Sequence, residues 1–188
     1  MTGPRDLERR NLELAQENQR LKSENDLLKS ELEFLKTYPS IAQGIKGERL
    51  VANLTGGVLT GYSDPHDVIV HDEDRIEVKT SHVDVQKGTR TKRWGWSNIL
   101  GRRNTKEYEW LVLIGEKDLE SGCEYPVDLP FVFFMVPRDQ VDLIKTGNMI
   151  AINTNLDTAR APKSVALKRH LVVSGTKFKD LFLNASAG

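Results

Sequence analysis

The sequence predicts a mixed α/β domain preceded by one long helix, and three observations carry this prediction. Residues 5–36 contain neither glycine nor proline, and a leucine recurs there at every seventh position. Residues 110–114 and 131–136 are unbroken apolar runs with the length of strands that are buried on both faces. Two shorter apolar segments, separated by a polar turn at residues 71–74, are typical of a β-hairpin.

The composition narrows the class of protein. The chain has 188 residues, with 27 basic and 27 acidic side chains, which excludes a uniformly basic nucleic-acid coat but not a local basic patch. The longest apolar run is far shorter than the roughly 20 residues needed to cross a bilayer. Without an apolar segment typical of a signal peptide, we expect a cytoplasmic protein with no membrane partner. The single cysteine, Cys123, excludes an intrachain disulfide and a multi-cysteine zinc site.

The leucines of the first helix predict a parallel two-stranded coiled coil, and therefore a homodimer. If they occupy heptad position d, asparagine holds most a positions, which fixes the register at a cost in stability. The d residues are Leu7, Leu14, Leu21, Leu28 and Leu35, and the a residues are Asn11, Asn18, Asn25 and Leu32. The g–e pairs between two parallel copies are all attractive: Glu17 with Lys22, Glu24 with Lys29, and Glu31 with Lys36. The alternative is a solvated single helix whose leucines recur by chance.

Pro39 predicts the end of this helix, because proline cannot continue the hydrogen-bond ladder, and Ser40 can cap a new one. We therefore assign residues 1–38 to a dimerisation helix and residues 39–188 to one α/β domain. The next helix should span residues 41–54 and end at Gly56. Glu48 points toward the apolar side of that helix, where a carboxylate is costly unless it is paired.

The remaining elements follow from apolar runs and turn signals. Residues 58–62 are predicted as a short strand, and residues 67–70 and 75–80 as the two strands of the hairpin. After the hairpin we expect central strands at 110–114 and 131–136, a helix at 137–144, strands at 149–152 and 171–173, and a helical turn at 178–183.

The hairpin carries the predicted chemistry. Side chains alternate along a strand, so Glu77 and Lys79 share one face. Asp67 begins the partner strand, and a turn at residues 71–74 can bring the three side chains together. Two carboxylates at close range repel each other, and their convergence calls for a cation such as Mg²⁺, which prefers oxygen ligands. A lysine beside that ion can orient a water molecule or stabilise charge developing on a phosphate. The arrangement suits phosphodiester hydrolysis, and Glu48 is predicted to supply another metal-binding carboxylate, either to this ion or to a second one.

An acid on a helix, Glu48, is followed along the chain by Asp67 and then by Glu77-Val78-Lys79. This pattern resembles that of the restriction-endonuclease-like nucleases, the PD-(D/E)xK superfamily, and most of all that of a small type II restriction enzyme. The segment SDPHDVIVHDEDRIEVKTS, residues 63–81, carries the resemblance, which spans residues 41–134. It implies a mixed central sheet of four strands flanked by helices, Mg²⁺ as cofactor and double-stranded DNA as substrate. By resemblance, Asp67 is the motif aspartate, Glu77 the second acid, Lys79 the lysine and Glu48 the acid of the first core helix.

The chain departs from the motif at one position. The residue before Asp67 is His66 instead of proline, whereas Pro65 follows a second candidate, Asp64. We prefer Asp67 because the apolar strand begins directly after it. The alternative for the Glu-x-Lys pattern is a surface hairpin on which Glu77 and Lys79 are solvated.

A basic segment at residues 87–106 predicts contact with DNA, since it has no acidic residue. Interleaved tryptophans could stack on bases, and arginine or asparagine could read base edges. The predicted DNA-binding residues are Lys87, Arg90, Lys92, Arg93, Trp94, Trp96, Asn98, Arg102, Arg103 and Lys106. The alternative is a basic loop whose tryptophans pack onto the core.

Together these features predict a homodimeric, Mg²⁺-dependent DNA endonuclease of the restriction type. One alternative is a repair, recombination or mobile-element nuclease that acts on branched or nicked DNA. Two others are a dimeric DNA-binding module without catalysis and a coiled-coil adaptor that binds protein. The sequence lacks the glycine-rich loop G-x-x-x-x-G-K-[ST], so we expect no nucleoside triphosphate as partner.

Overall fold

The structure is a computed structural model that describes residues 4–37, 39–61, 63–71, 74–126 and 130–173. By its contacts the chain divides into two compact units, Met1–Ala42 and Gln43–Gly188. Two long helices, α1 (Pro4–Thr37) and α2 (Pro39–Thr55), account for the described residues of the first unit, and α2 continues into the second. Within the described part of the chain, no helix combines the length and apolarity that crossing a membrane requires.

Helix α1 confirms the predicted helix at residues 5–36. Two of its predicted d-position leucines, Leu14 and Leu21, are 54% and 44% exposed in the single chain. Leucines exposed to this extent on a helix are available to a partner. The coiled coil, its parallel orientation and the domain boundary at residue 38 stay predictions.

The second unit is a mixed α/β structure, as predicted. After α2 come β1 (Val58–Leu59), β2 (Val68–Val70), β3 (Asp74–Ser81), β4 (Asp84–Val85), β5 (Lys92–Ser97), β6 (Trp110–Glu116), β7 (Phe131–Pro137), α3 (Val141–Ile144), β8 (Met149–Asn153) and α4 (Pro162–Lys168). Single 3₁₀ turns lie at Arg102–Asn104 and Arg138–Gln140. The described strands form a main sheet in the order β1-β2-β3-β6-β7 and a smaller antiparallel sheet in the order β4-β5-β8. The main sheet is mixed, because β3 and β6 run parallel and its other pairs are antiparallel.

Strands β6 and β7 are buried on both faces, which explains their unbroken apolar sequences. Leu111 and Leu113 enter the same hydrophobic cluster as the tryptophans of β5, whereas Val112 and Ile114 enter the cluster under α2. The prediction that β7 is central was wrong, because β7 ends the strand order of the main sheet. Backbone hydrogen bonds with residues 170–172 cover its outer edge, including Met135 N–H to the His170 carbonyl at 2.9 Å.

Several other boundaries differ from the prediction. Strands β4 and β5 and helix α4 were not predicted, and the first predicted strand shortens to Val58–Leu59. Leu171 forms one isolated bridge with Phe134 instead of a strand at residues 171–173. The predicted helical turn at residues 178–183 lies outside the described residues.

Helix α2 packs closely on the main sheet at Gly47, the position before Glu48. A Cβ at Gly47 would clash with the methyl group of Thr80 on β3 and approach Ile114 of β6 to 3.4 Å. Val51 and Ala52, one turn further along, are buried in the cluster on this face of the sheet. The missing side chain at Gly47 therefore sets how near the helix carries Glu48 to the strands.

Gly47→Ala should lower the free energy of unfolding by about 1–3 kcal/mol, the usual cost of overpacking. Gly44 on the same helix is the matched control, since a Cβ there would lie 4.0 Å from Oε1 of Glu48, an ordinary contact. Gly44→Ala should be neutral or stabilise by about 0.5–1 kcal/mol, because alanine is the better helix former. Urea denaturation measures both, and equal stabilities would contradict the close packing.

Candidate active site

The hairpin of β2 and β3 brings Asp67 beside Glu77, as the sequence predicted. Val68 pairs with Ile76 in the antiparallel register, and the backbone N–H of Asp67 donates to the Ile76 carbonyl at 2.9 Å. Oδ2 of Asp67 accepts a hydrogen bond from the backbone N–H of Val78 at 2.8 Å. This bond ties the Asp67 carboxylate to the strand that carries Glu77 and Lys79.

The carboxylate of Glu77 is fully buried, with 0% of its side chain exposed. Oε1 pairs with the ammonium of Lys79, two residues along the same strand, and Oε2 pairs with the ammonium of Lys106 at 2.9 Å. A buried carboxylate is costly unless cations compensate it, and these two ammonium groups do so. Burial, with repulsion from Asp67, raises the pKa of Glu77, and the nearby lysines oppose that rise only in part. The alternative in which Glu77 and Lys79 are solvated on a surface hairpin does not fit this burial.

Lys106 is a member of this cluster that sequence reasoning assigned elsewhere. Its Nζ also lies 3.4 Å from Oδ1 of Asp67, so one ammonium contacts both carboxylates. Burial acts to lower the pKa of Lys106, but its pairing with Glu77 and the charge of Asp67 outweigh burial, and the pKa is raised. Lys106 is therefore a cation at neutral pH.

Glu48 interacts electrostatically with the charged residues of the cluster. Burial raises the pKa of Glu48 most, and the negative charge of Asp67 raises it further, whereas Lys79 and Lys106 lower it. Glu48 thus experiences the charges of the hairpin acid and of both lysines. Its predicted proximity to the hairpin acids agrees with these interactions.

The structure distinguishes the two aspartates that could match the motif. Asp64 is exposed, and its Oδ2 accepts a hydrogen bond from the backbone N–H of Gly61 at 2.6 Å. Asp67 has a side chain that is only 15% exposed and shares a cation with Glu77. Asp67 is therefore the aspartate that lies in the acidic cluster.

Tyr108 is a second residue of this region that the sequence did not reveal. Its hydroxyl donates to the backbone carbonyl of Ile99 at 3.0 Å, and its ring lies under the guanidinium of Arg138. Burial raises the pKa of Tyr108 to about 12; the charge of Arg138 opposes this rise, and the charges of Glu77 and Asp142 add to it. Tyr108 and Lys106 both lie in an irregular segment without periodicity, so no local sequence pattern places them near Glu77.

The predicted stacking of Trp94 and Trp96 on DNA bases was wrong, because both side chains are buried in the core. The indole N–H of Trp94 donates to the Glu116 carbonyl at 2.7 Å, and that of Trp96 donates to the Ile114 carbonyl at 2.9 Å. Both rings also make edge contacts with Phe134. The alternative in which the tryptophans pack onto the core is the correct one, although the segment is strand β5 instead of a loop.

The basic residues of the segment serve different purposes. Lys92 was predicted to bind DNA, but its ammonium pairs with Asp118 at 3.0 Å and with Glu120 at 2.6 Å. Lys106 was also predicted to bind DNA and lies in the acidic cluster. Lys87, Arg90, Asn98 and Arg103 are exposed, Arg93 is half-buried, and the side chain of Arg102 lies outside the described residues. For the exposed basic side chains, contact with DNA stays a prediction.

The donor set of the cluster fits Mg²⁺, although no group of three or more His, Cys, Asp or Glu side chains in the described residues is arranged to hold a metal ion. Asp67 and Glu77 direct oxygens at one shared cation, the ammonium of Lys106. Mg²⁺ commonly takes one or two carboxylates and completes its shell with water and substrate phosphate. Two carboxylates that already share a cation provide such a pair.

Comparison with known proteins assigns neither a family nor a function to this chain. The chain matches no model of a known protein family, and no curated protein matches it significantly. Any assignment of function therefore depends on the geometry of the cluster.

Glu48→Gln should stabilise the protein increasingly as the pH rises above about 4.5, the ordinary pKa of this carboxyl. Because its pKa is raised on folding, the folded state holds the proton more tightly than the unfolded chain does, and stability is lost through this window. Glutamine removes that loss. Urea denaturation of the variant and the parent at pH 4 and pH 8 measures the difference. A Glu48→Gln difference that shrinks toward pH 8 would contradict the assignment.

Proposed function

We propose that this chain is a Mg²⁺-dependent DNA endonuclease of the restriction type that acts as a homodimer and hydrolyses phosphodiester bonds. One observation supports the proposal above others. Glu48 comes from α2, Asp67 directly precedes β2, and Glu77 and Lys79 lie on β3. These four residues nevertheless form a single cluster of interacting charges. A buried carboxylate, a second carboxylate sharing its cation and an adjacent lysine form an arrangement suited to phosphoryl chemistry.

Each residue has a distinct role in the proposed reaction. Asp67 and Glu77 would hold the metal, with Glu48 as a further acid beside them. Bound Mg²⁺ would neutralise charge on the phosphate and lower the pKa of a coordinated water. The backbone N–H of Val78 keeps the Asp67 carboxylate oriented, and Glu77 keeps the Lys79 ammonium at the site. Lys79 orients the attacking water and stabilises negative charge on the phosphate as the bond to the leaving oxygen breaks.

The remaining parts of the proposal concern DNA and the dimer. Lys87 and Arg90 are exposed in the segment between β4 and β5, where they are available to phosphates. Two copies of the chain provide two sites, one for each strand of a double helix. A parallel coiled coil through α1 would join them, and a two-fold dimer suits a palindromic target.

Asp67→Asn and Lys79→Met should each reduce Mg²⁺-dependent cleavage of plasmid DNA by about a hundredfold or more, since Asp67 would hold the metal and Lys79 acts on the water and the reacting phosphate. Asp64→Asn is the matched control and should cut like the parent, because Asp64 lies outside the cluster. Gel analysis of plasmid or phage DNA, followed by sequencing of the ends, reports activity, specificity and stagger. Full activity of both cluster variants would contradict the site.

The same assay separates the alternatives. Salt-sensitive DNA binding without cleavage by the parent would favour the non-catalytic DNA-binding module. Cleavage of branched or nicked DNA, but not of plain duplexes, would favour the repair or mobile-element nuclease. Absence of any salt-sensitive DNA affinity would favour the protein-binding adaptor.

Leu14→Asp combined with Leu21→Asp should raise the dissociation constant of the dimer about tenfold or more, because a charge at position d opposes packing of the two helices. Leu12→Asp is the matched control, since Leu12 is 61% exposed and lies at heptad position b. Sedimentation equilibrium measures both. An unchanged mass for the double variant would make the coiled coil irrelevant to the assembly.

A further inference from the structure

Lys106 lies where a metal ion shared by Asp67 and Glu77 would lie. Its Nζ is 2.9 Å from Oε2 of Glu77 and 3.4 Å from Oδ1 of Asp67. A Mg²⁺ ion binds oxygen at about 2.0–2.1 Å. An ammonium and a metal ion therefore cannot occupy the space between these two oxygens together.

The backbone on both sides of Lys106 is held to its neighbours. The N–H of Lys106 donates to the Leu100 carbonyl at 3.1 Å, and that of Glu107 donates to the Pro65 carbonyl at 3.1 Å. The N–H of Glu109 donates to the Arg75 carbonyl at 2.9 Å, and the Arg75 guanidinium pairs with the Glu109 carboxylate. These bonds anchor the segment to β3 and to the residues that precede β2, so a displacement of the ammonium is a movement of the Lys106 side chain alone.

The chain also leaves room for this lysine. Gly101 has a φ of +74°, and a Cβ there would lie 2.9 Å from Cγ of Lys106. A residue with a side chain at position 101 would contact the stem of Lys106 and force it to shift. The absence of that side chain and the anchored backbone together direct the lysine into the cluster.

The charge of Lys106 affects whether a metal ion can enter the site. Lys79 and Lys106 together balance Asp67 and Glu77, and Glu48 adds a third negative charge to the cluster. Adding a divalent ion beside both ammonium groups would turn this excess of negative charge into an excess of positive charge, which a poorly solvated site opposes. Departure of one ammonium relieves the excess, and Lys79 is held next to Glu77 on its own strand. Lys106 comes from a separate segment and lies between the two oxygens that the ion would take, so Lys106 is the one that has to leave.

We propose that Lys106 is a tethered cation that holds Asp67 and Glu77 together in the metal-free protein and is displaced from them when the metal binds. This inference rests on the proposed function, because it requires a metal at these two carboxylates. Lys106 is then a positioning residue that competes with the metal, and not a DNA contact. It keeps the buried acids compensated and sets the concentration at which metal enters.

The test is equilibrium binding of Mn²⁺, a spectroscopic substitute for Mg²⁺, to the full-length protein without DNA, followed by electron paramagnetic resonance. Lys106→Gln and Lys106→Met should each tighten Mn²⁺ binding about tenfold or more, because they remove the competing charge. Lys106→Arg keeps the charge and should bind close to the parent. Lys145→Met, which removes a surface lysine paired with Asp142, is the control for general loss of positive charge and should also bind like the parent. Circular dichroism checks that each variant is folded, and Lys106→Gln keeps a hydrogen-bond donor if Lys106→Met does not fold.

The outcomes separate this inference from the proposed function. If Asp67→Asn abolishes Mn²⁺ binding and Lys106→Gln binds no tighter than the parent, the metal site stands and the competing role of Lys106 is overturned. If the parent binds Mn²⁺ no better than Asp67→Asn does, the metal site itself is overturned, and with it both proposals. Tighter binding by Lys106→Gln and Lys106→Met, but not by Lys106→Arg, supports the displaced lysine.

Discussion

Compensation of one buried charge organises the region around β3. The carboxylate of Glu77 lies on a strand between β2 and β6, with no exposure to solvent. Burying an unpaired carboxylate costs several kcal/mol, on the order of what stabilises a whole domain. Two lysines from different parts of the chain therefore converge on it, and one of them also contacts Asp67. With Glu48 beside them, three acids and two ammonium groups are concentrated at one place.

Packing on both faces of the main sheet supports the strand that carries this cluster. Trp94 and Trp96 cover one face of the main sheet, and Val51 and Ala52 of α2 cover the other. Close approaches at glycine make both contacts possible: a Cβ at Gly115 would lie 2.7 Å from ring atoms of Trp94, and Gly47 faces Thr80. Because both faces are packed, the strands that carry the acids have little freedom to move apart.

The basic segment shows that a charge pattern does not specify its own partner. Seven basic residues between positions 87 and 106 suggested one surface for a polyanion. In the folded chain Lys92 compensates Asp118 and Glu120, and Lys106 compensates Glu77 and Asp67. Acids distant in sequence take these cations, because a local pairing in a partly buried place is stronger than attraction to a ligand through water.

Local patterns determined the long first helix, the hairpin, the buried strands β6 and β7 and the shared face of Glu77 and Lys79. Heptads, alternation and turn residues act over a few positions, so a single sequence reveals them. The tertiary structure decided the smaller sheet, the burial of Trp94 and Trp96, and the place of Lys106, which lies 39 positions from Asp67. These features depend on contacts between segments far apart in the chain, where packing and charge compensation, not periodicity, select the partners.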